Sequence, residues 1–242
     1  MNRKSATEVE LSCPVTKTPD AVTRRYRENR HWRLYPNEWI YRNIPIQGED
    51  VLDFGCGTGE FSTKLAMFGA KRVIGLDVTP GLLELTQKRA RLDGVEDKVD
   101  VLCGDLRNLY IPAVDVILAF AVLHHCHPVA TTTSELLQRL KPNGWFVCCE
   151  PVCYVPAIEW LREQTGVPMG PLDEGEAKLS GRDVRDICGA LVDVHIQHYR
   201  ILGRLDRYLP ELPLRLVDRV LVALPEVWKL SGKVLIAGRK AQ

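Results

Sequence analysis

Val51-Leu52-Asp53-Phe54-Gly55-Cys56-Gly57-Thr58-Gly59 combines an apolar run, one carboxylate and three glycines at alternate positions. Glycine lacks a Cβ and accepts left-handed torsions, so such a loop lets a ligand lie directly against main chain. The spacing differs from the dinucleotide fingerprint G-x-G-x-x-G, which sets a pyrophosphate on a helix N-terminus. No Gly-Lys-Ser/Thr follows, which disfavours a phosphate-cradling loop. Asp53, two residues ahead of Gly55, suits a ligand that carries an ammonium.

A second group is His124-His125-Cys126-His127. Imidazole titrates near neutrality and is a natural general base. Glu150, in a later apolar run, is an alternative base or a group that orients an acceptor. Together with Cys153, the residues His124, Cys126 and His127 offer soft and borderline ligands that zinc would accept. They lack C-x-x-C or H-x-x-x-H spacing, and no metal is expected. The eight cysteines contain no C-x-x-C pair. Cys103, Cys148 and Cys149 fall in expected buried strands, where cysteine acts as a small hydrophobe, so reduced thiols are expected.

The elements that would position these groups alternate from residue 50 onward, the pattern of a parallel sheet wrapped by helices. Strands are expected at 51–54, 72–76, 99–103, 114–120 and 144–149. Phe61, Leu65 and Phe68 recur at helical spacing. So do Leu83, Thr86 and Ala90, then Val129, Thr133, Leu136, Leu137 and Leu140. Lys141-Pro142-Asn143-Gly144 predicts a turn, with Asn-Gly accepting positive φ. Right-handed crossovers put the ligand crevice at the carboxyl ends of the first and fourth strands. Ser180 and Asp183 predict a capping box for a helix running to Gly189. Residues 192–199 and 234–237 read as the last two strands. A short helix is expected around 158–163, and the stripe Val217, Val220, Leu221 and Leu224 predicts a helical cover packed on the core, or one that closes a greasy acceptor pocket, forms a dimer face or touches a membrane surface.

Several stations in order, VLDFGCGTG, VIGLDVT, CGDLRNL, VDVILAFAVLHH and LLQRLKPNGWFVCCEP, resemble a class I S-adenosylmethionine-dependent methyltransferase of the type 11, ubiquinone-biosynthesis-like group. The resemblance covers roughly residues 50–150. It implies a Rossmann-like α/β fold: a doubly wound, seven-stranded, mostly parallel sheet with an antiparallel edge strand and helices on both faces. It also implies an N-terminal helical lid at 1–49, then a core at 50–242 with cover segments near 151–182 and 204–230. S-adenosylmethionine is the implied cofactor and S-adenosylhomocysteine the product. The implied cofactor residues are Asp53 for the methionine ammonium, with Gly55, Cys56, Gly57 and Gly59 along the loop. Asp77 would take the ribose hydroxyls and Val78 an adenine face. Asp105 would take the adenine amino group, with the Leu106 backbone at a ring nitrogen and Phe120 beside the methyl. In some family members a histidine matching His124 is a general base; His125 is a second candidate. Tyr26, His31 and Tyr35 are lid candidates.

With a net charge of +1, 45% hydrophobic and 26% charged residues, the chain has no global field that would demand nucleic acid or an anionic membrane. The N-terminal residues lack an apolar h-region, and no apolar run reaches a membrane span, so a cytoplasmic protein is expected. A small-molecule acceptor (secondary metabolite, quinone or lipid-like) is the first expectation, with no stable nucleic-acid partner and a monomer or homodimer. Methylation of transfer RNA or protein is the alternative, with Arg24, Arg25, Arg27, Arg30 and Arg33 gripping phosphates. A non-catalytic subunit that uses the nucleoside structurally is the third.

Overall fold

The apolar runs become strands buried on both faces, as a sheet covered by helices on each side requires. Val51, Leu52, Ile117, Leu118, Phe146 and Val147 have no exposed surface. The computed structural model of the chain describes residues 34–164, 178–202 and 211–241. The strands are β1 (Asp50–Phe54), β2 (Arg72–Asp77), β3 (Val99–Cys103), β4 (Val114–Phe120), β5 (Leu140–Cys153), β6 (Leu179–Ser180), β7 (Val192–Tyr199) and β8 (Lys233–Arg239). The helices are α1 (Leu34–Asn43), α2 (Glu60–Met67), α3 (Pro80–Leu92), α4 (Val129–Gln138), α5 (Pro156–Gln164), α6 (Gly181–Gly189) and α7 (Glu211–Ala223).

The sheet order is β3-β2-β1-β4-β5-β8-β7, with the two-residue β6 added on β5. β1 to β5 are mutually parallel where they pair, and β8 runs against both β5 and β7. This is the expected doubly wound, mostly parallel sheet with an antiparallel pair at one edge. The chain reverses its direction of winding between β1 and β4, which opens a crevice at their carboxyl ends. One face packs on α4 and α6 through Val129, Leu136, Val184 and Ile187. The other packs on α1, α2 and α3 through Ile40, Leu65, Ala66 and Ala90. The helical spacings hold on α3, which buries Leu83, Thr86 and Ala90, and on α4, which buries Val129, Thr133, Leu136 and Leu137; on α2 Leu65 is buried, but Phe68 caps the helix and is exposed. The capping box of α6 also forms, Asp183 Oδ2 accepting from the Ser180 N–H at 2.8 Å.

Four local expectations change. Residues 141–144 are a bulge inside a long β5, not a turn before it. Pairing jumps from Val114↔Leu140 to Val116↔Trp145, and Asn143 takes φ 60 within the jump. Leu140, expected on α4, opens β5 instead. Cys103 is exposed, because β3 is an edge strand, while Cys148 and Cys149 are buried. The α7 stripe is not packed inward: Val217, Val220 and Leu224 are exposed. The buried Asp218 sets the rotation of α7, its carboxylate accepting the backbone N–H groups of Arg200, Ile201 and Leu202 at 2.7, 2.7 and 3.1 Å. With Asp218 and the buried Leu214 turned inward, Leu216 and Val220 lie on the far side of a 3.6-residue helix.

Candidate functional site

β1 delivers its chain to the crevice at Phe54, and the loop that follows is stitched to the end of β2. The N–H groups of Gly55 and Cys56 donate to the Leu76 carbonyl at 2.8 and 3.0 Å. Gly55 has φ 70, and a Cβ there would lie 2.3 Å from Val122 Cγ2. Only glycine lets this loop and the exit of β4 approach so closely. Gly57 has φ 55 and differs in its surroundings: a Cβ would meet nothing within 4 Å, so its main chain faces open space. Gly59 caps α2, with the Thr86 side chain where its Cβ would be. Cys56 is buried, and burial pushes its thiol well up, with the charges of Asp53 and Asp77 adding.

Asp77, at the end of β2, ties two segments together. Its Oδ2 accepts from the Gly57 N–H and its Oδ1 from the Thr79 N–H, both at 2.9 Å. A carboxylate has about four lone-pair directions, so each oxygen keeps one for a ligand hydroxyl. Val78 beside it is 57% exposed, an apolar surface next to a polar anchor. Asp53 lies beneath the loop, 2% exposed, its Oδ2 accepting from the Ser62 hydroxyl at 2.6 Å. Burial pushes its carboxyl up to about 6; Ser62 opposes this and the Asp77 charge adds to it. A ligand ammonium at this carboxylate would favour the ionised form.

Asp105 follows β3, the edge strand beside β2, and caps a short 3₁₀ turn at Leu106–Asn108. Its carboxylate is held by Arg107: Oδ1 accepts the backbone N–H and Nε–H at 2.9 Å each, and Oδ2 accepts Nη2–H at 2.5 Å. The Arg107 hydrogen bonds keep the Asp105 carboxyl below the usual range. Leu106 is buried and its carbonyl accepts from Arg139 at 3.3 Å. Phe120, at the end of β4, packs against Phe61 of α2 with ring centroids 4.2 Å apart. Neither Arg107 nor Phe61 stood out as a site residue. The Asp-x-Arg spacing, which allows a side chain to bond two residues on, was the available signal for Arg107.

The exit of β4 is clamped by β5. Ala121 turns the chain at φ 51, and its N–H donates to the Cys149 carbonyl at 3.0 Å. The fully buried Glu150 then accepts from the N–H groups of Val122 and Leu123 through Oε1, both at 3.0 Å. Its Oε2 lies 2.7 Å from Nδ1 of His124, itself 4% exposed. His125 is exposed and its ring packs against that of His124, centroids 4.1 Å apart.

The structure therefore brings together the glycine loop, Asp53 and Asp77 as one unit, and His124 and Glu150 as another. Tyr26 and His31 lie outside the described residues, as does the side chain of Tyr35 on α1; the five arginines at 24–33 fall there too. The described part of α1 packs on the sheet at β7 and β8, with Trp39 stacked on His195 at 4.4 Å. Among the described residues, no group of three or more His, Cys, Asp or Glu could hold a metal ion, and no helix is long and apolar enough to cross a membrane.

Comparison with known proteins bears on the same segment. Residues 52–148 match the model of a family described as a methyltransferase domain. The chain is 28% identical over 145 residues to the demethylmenaquinone methyltransferase of Symbiobacterium thermophilum, covering 58% of this chain and 57% of that one. It is 40% identical over 87 residues to protein arginine N-methyltransferase 1 of Saccharomyces cerevisiae, covering 33% and 25%. The chain thus spans about a quarter to three-fifths of the length of these relatives. In fold it is similar to the N-methyltransferase NodS from Bradyrhizobium japonicum, solved with S-adenosyl-L-homocysteine. The TM-score is 0.63 at 14% identity, with 98% of each chain covered. The matched segment begins in β1 and ends in β5, and so encloses the glycine loop, Asp77 and Asp105. Over this segment the chain is similar to methyltransferase domains, and its fold is that of an S-adenosylmethionine-dependent methyltransferase.

Proposed function

We propose that the protein transfers the methyl group of S-adenosylmethionine to a small-molecule acceptor, at oxygen, nitrogen or activated carbon. The observation that carries the reading is Asp77, whose two oxygens each hold one backbone N–H and keep further lone pairs beside the open main chain of Gly57. These residues fit the cofactor: a partly buried carboxylate for a diol, an exposed Val78 for a flat apolar base, and a buried Asp53 whose charge a cation would restore. Asp105 would take the adenine amino group with Arg107 fixing its orientation, and Phe120 would border the reacting end. When bound, the sulfonium supplies a methyl group electrophilic without metal or acid. The protein's own contribution is then orientation and exclusion of water.

His124 and Glu150 belong to the same proposal. Glu150 spends both oxygens on the loop after β4, so it braces that loop, and through Nδ1 it sets the orientation of His124. A base and a brace differ in what rescues them. If His124 is a base, His124→Gln, which keeps a polar group beside Glu150, abolishes turnover at unchanged cofactor affinity; if a brace, His124→Gln keeps most of the turnover.

The quinone methyltransferase, which matches more than half of this chain, supports a small acceptor. The arginine methyltransferase matches a third and supports a protein acceptor as the second reading. Labelled S-adenosylmethionine incubated with the protein and cell extract, followed by mass spectrometry, separates them: label in a small molecule is expected, whereas label in protein or RNA overturns the acceptor class. No labelled product, with the cofactor bound, would favour a non-catalytic role. For the site itself, Asp77→Ala should weaken S-adenosylhomocysteine binding by about 10- to 100-fold, the worth of hydrogen bonds to a charged group. Unchanged affinity in calorimetry would overturn the assignment.

A further inference from the structure

We infer that Tyr154, His198 and Trp228 form the acceptor-recognition platform of this protein, receiving a flat aromatic ring that bears a hydroxyl group. The inference rests on the methyl-transfer reading above and names the substrate class for it.

Three chain segments bring these side chains together. Tyr154 follows β5 directly, His198 is one residue from the end of β7, and Trp228 sits in the 3₁₀ turn Val227–Leu230 that leads into β8. β5 and β7 run in the same direction and β8 against them, so all three residues lie at the crevice end of the sheet. The register is more specific. Glu150 pairs with Val234 and Val234 with His198, one row across three strands. Paired residues share a face of the sheet, and strands lie about 4.8 Å apart, which sets His198 roughly 10 Å from the Glu150 clamp. Tyr154, just past the end of β5, packs against the core cluster on that face, which contains Val152 and Val234. A molecule about two rings long would reach from the platform to the loop after β4.

The ring geometry selects what can bind. The centroids of Tyr154 and Trp228 are 5.1 Å apart, those of His198 and Trp228 4.7 Å, and those of Tyr154 and His198 5.4 Å. These rings touch one another, so they leave no room for a methylammonium group between them and do not form a cation cage. All three residues are half-buried, so part of each ring is open to solvent, and the Lys229 ammonium stands over the Trp228 ring at 5.7 Å from its centroid. Packing alone would not call for a polar pair here, yet Tyr154 Oη lies 2.8 Å from His198 Nε2. Burial lowers the His198 pKa and raises that of Tyr154, which favours a bond between neutral groups. A phenolic oxygen in one such bond still has hydrogen-bonding capacity, which a ligand hydroxyl can use. Among the described residues the Trp228 indole N–H has no acceptor, a second opening for a ligand oxygen.

The test uses the full chain with S-adenosylhomocysteine present and two fluorescent probes of the same ring, 7-hydroxycoumarin and coumarin. The wild type should bind the hydroxylated probe more tightly. Tyr154→Phe should remove that preference, about tenfold, while leaving coumarin binding unchanged. Trp228→Leu should weaken both probes. S-adenosylhomocysteine affinity, measured alongside, should be the same in all three proteins. Binding of neither probe by the wild type, or a preference that survives Tyr154→Phe, overturns the inference alone. Failure of the wild type to bind S-adenosylhomocysteine overturns the methyl-transfer reading as well.

Discussion

The two halves of the sheet hold their sites by different means. On the β1–β3 side, carboxylates at strand ends tie the main chain of the ligand-facing loops together: Asp77 holds Gly57, 20 residues before it, and Thr79, and Asp105 holds Arg107. On the β4–β8 side, side chains reach across long stretches of sequence. Glu150 grips the loop 27 and 28 residues before it, Tyr154 meets His198 across 44 residues, and Asp218 holds the exit of β7 from 16 to 18 residues away. The first arrangement presents a preformed backbone surface to a ligand with fixed functional groups. The second sets the position of a loop and a cover, and can vary its contacts without disturbing the first. That division suits one constant cofactor and a varied acceptor, and the two relatives named for a quinone and for protein arginine share only the methyltransferase designation.

Substitutions should separate the halves in order of size. Glu150→Ala removes the acceptor of two buried N–H groups and the partner of His124; a loss of about 3–5 kcal/mol in denaturant unfolding is expected. Glu150→Gln keeps an oxygen for both N–H groups and should cost much less. Equal losses would show that charge, not the clamp, matters. Gly55→Ala should cost about 3 kcal/mol, because a left-handed alanine is strained and its Cβ would overlap Val122.

Asp53 provides a contrast of opposite sign. Its folded pKa of about 6 lies above the unfolded value near 3.8, so the folded state binds the proton more tightly. The ligand-free protein should therefore lose stability as pH rises from about 4 to 6, by up to about 3 kcal/mol. Asp53→Asn should abolish that slope, raise stability at pH 8, and weaken S-adenosylhomocysteine binding. Thermal unfolding at pH 4.5 and 8 checks the first two effects; a wild-type slope in the variant would show that another group titrates. The smallest expected stability effect is at Gly57. Gly57→Ala should cost only about 1 kcal/mol, the strain of a left-handed alanine, since its Cβ would point into open space. It should nonetheless hinder the ligand, so ligand affinity should fall more than stability does. The reverse ranking would place Gly57 with Gly55, as a packing position.

Legibility follows the same line. Asp53, the glycines, Asp77 and Asp105 stand in short segments at the ends of strands with strong apolar patterns, so the sequence marked them directly. The α7 stripe read as buried because 3.6-residue periodicity reports that a helix has two faces. It does not report which face turns inward when a polar residue is the anchor. Asp218 decided that by satisfying three backbone N–H groups that its own sequence neighbourhood does not contain. Likewise Lys141-Pro142-Asn143-Gly144 correctly announced a positive φ at Asn143, but strand pairing with Val114 and Val116 made the segment a bulge.

What the residues determined alone was therefore everything set by local chemistry: the strand and helix alternation, the bare loop after β1, and the carboxylates at successive strand ends. Tertiary structure alone decided which distant groups share a row. Glu150, Val234 and His198 are neighbours only because β8 inserts antiparallel between β5 and β7, and Arg107 and Ser62 matter because of the carboxylates they meet. The reason is physical: hydrogen-bond partners and burial are properties of pairs in space, whereas periodicity and turn chemistry belong to neighbouring residues in the chain.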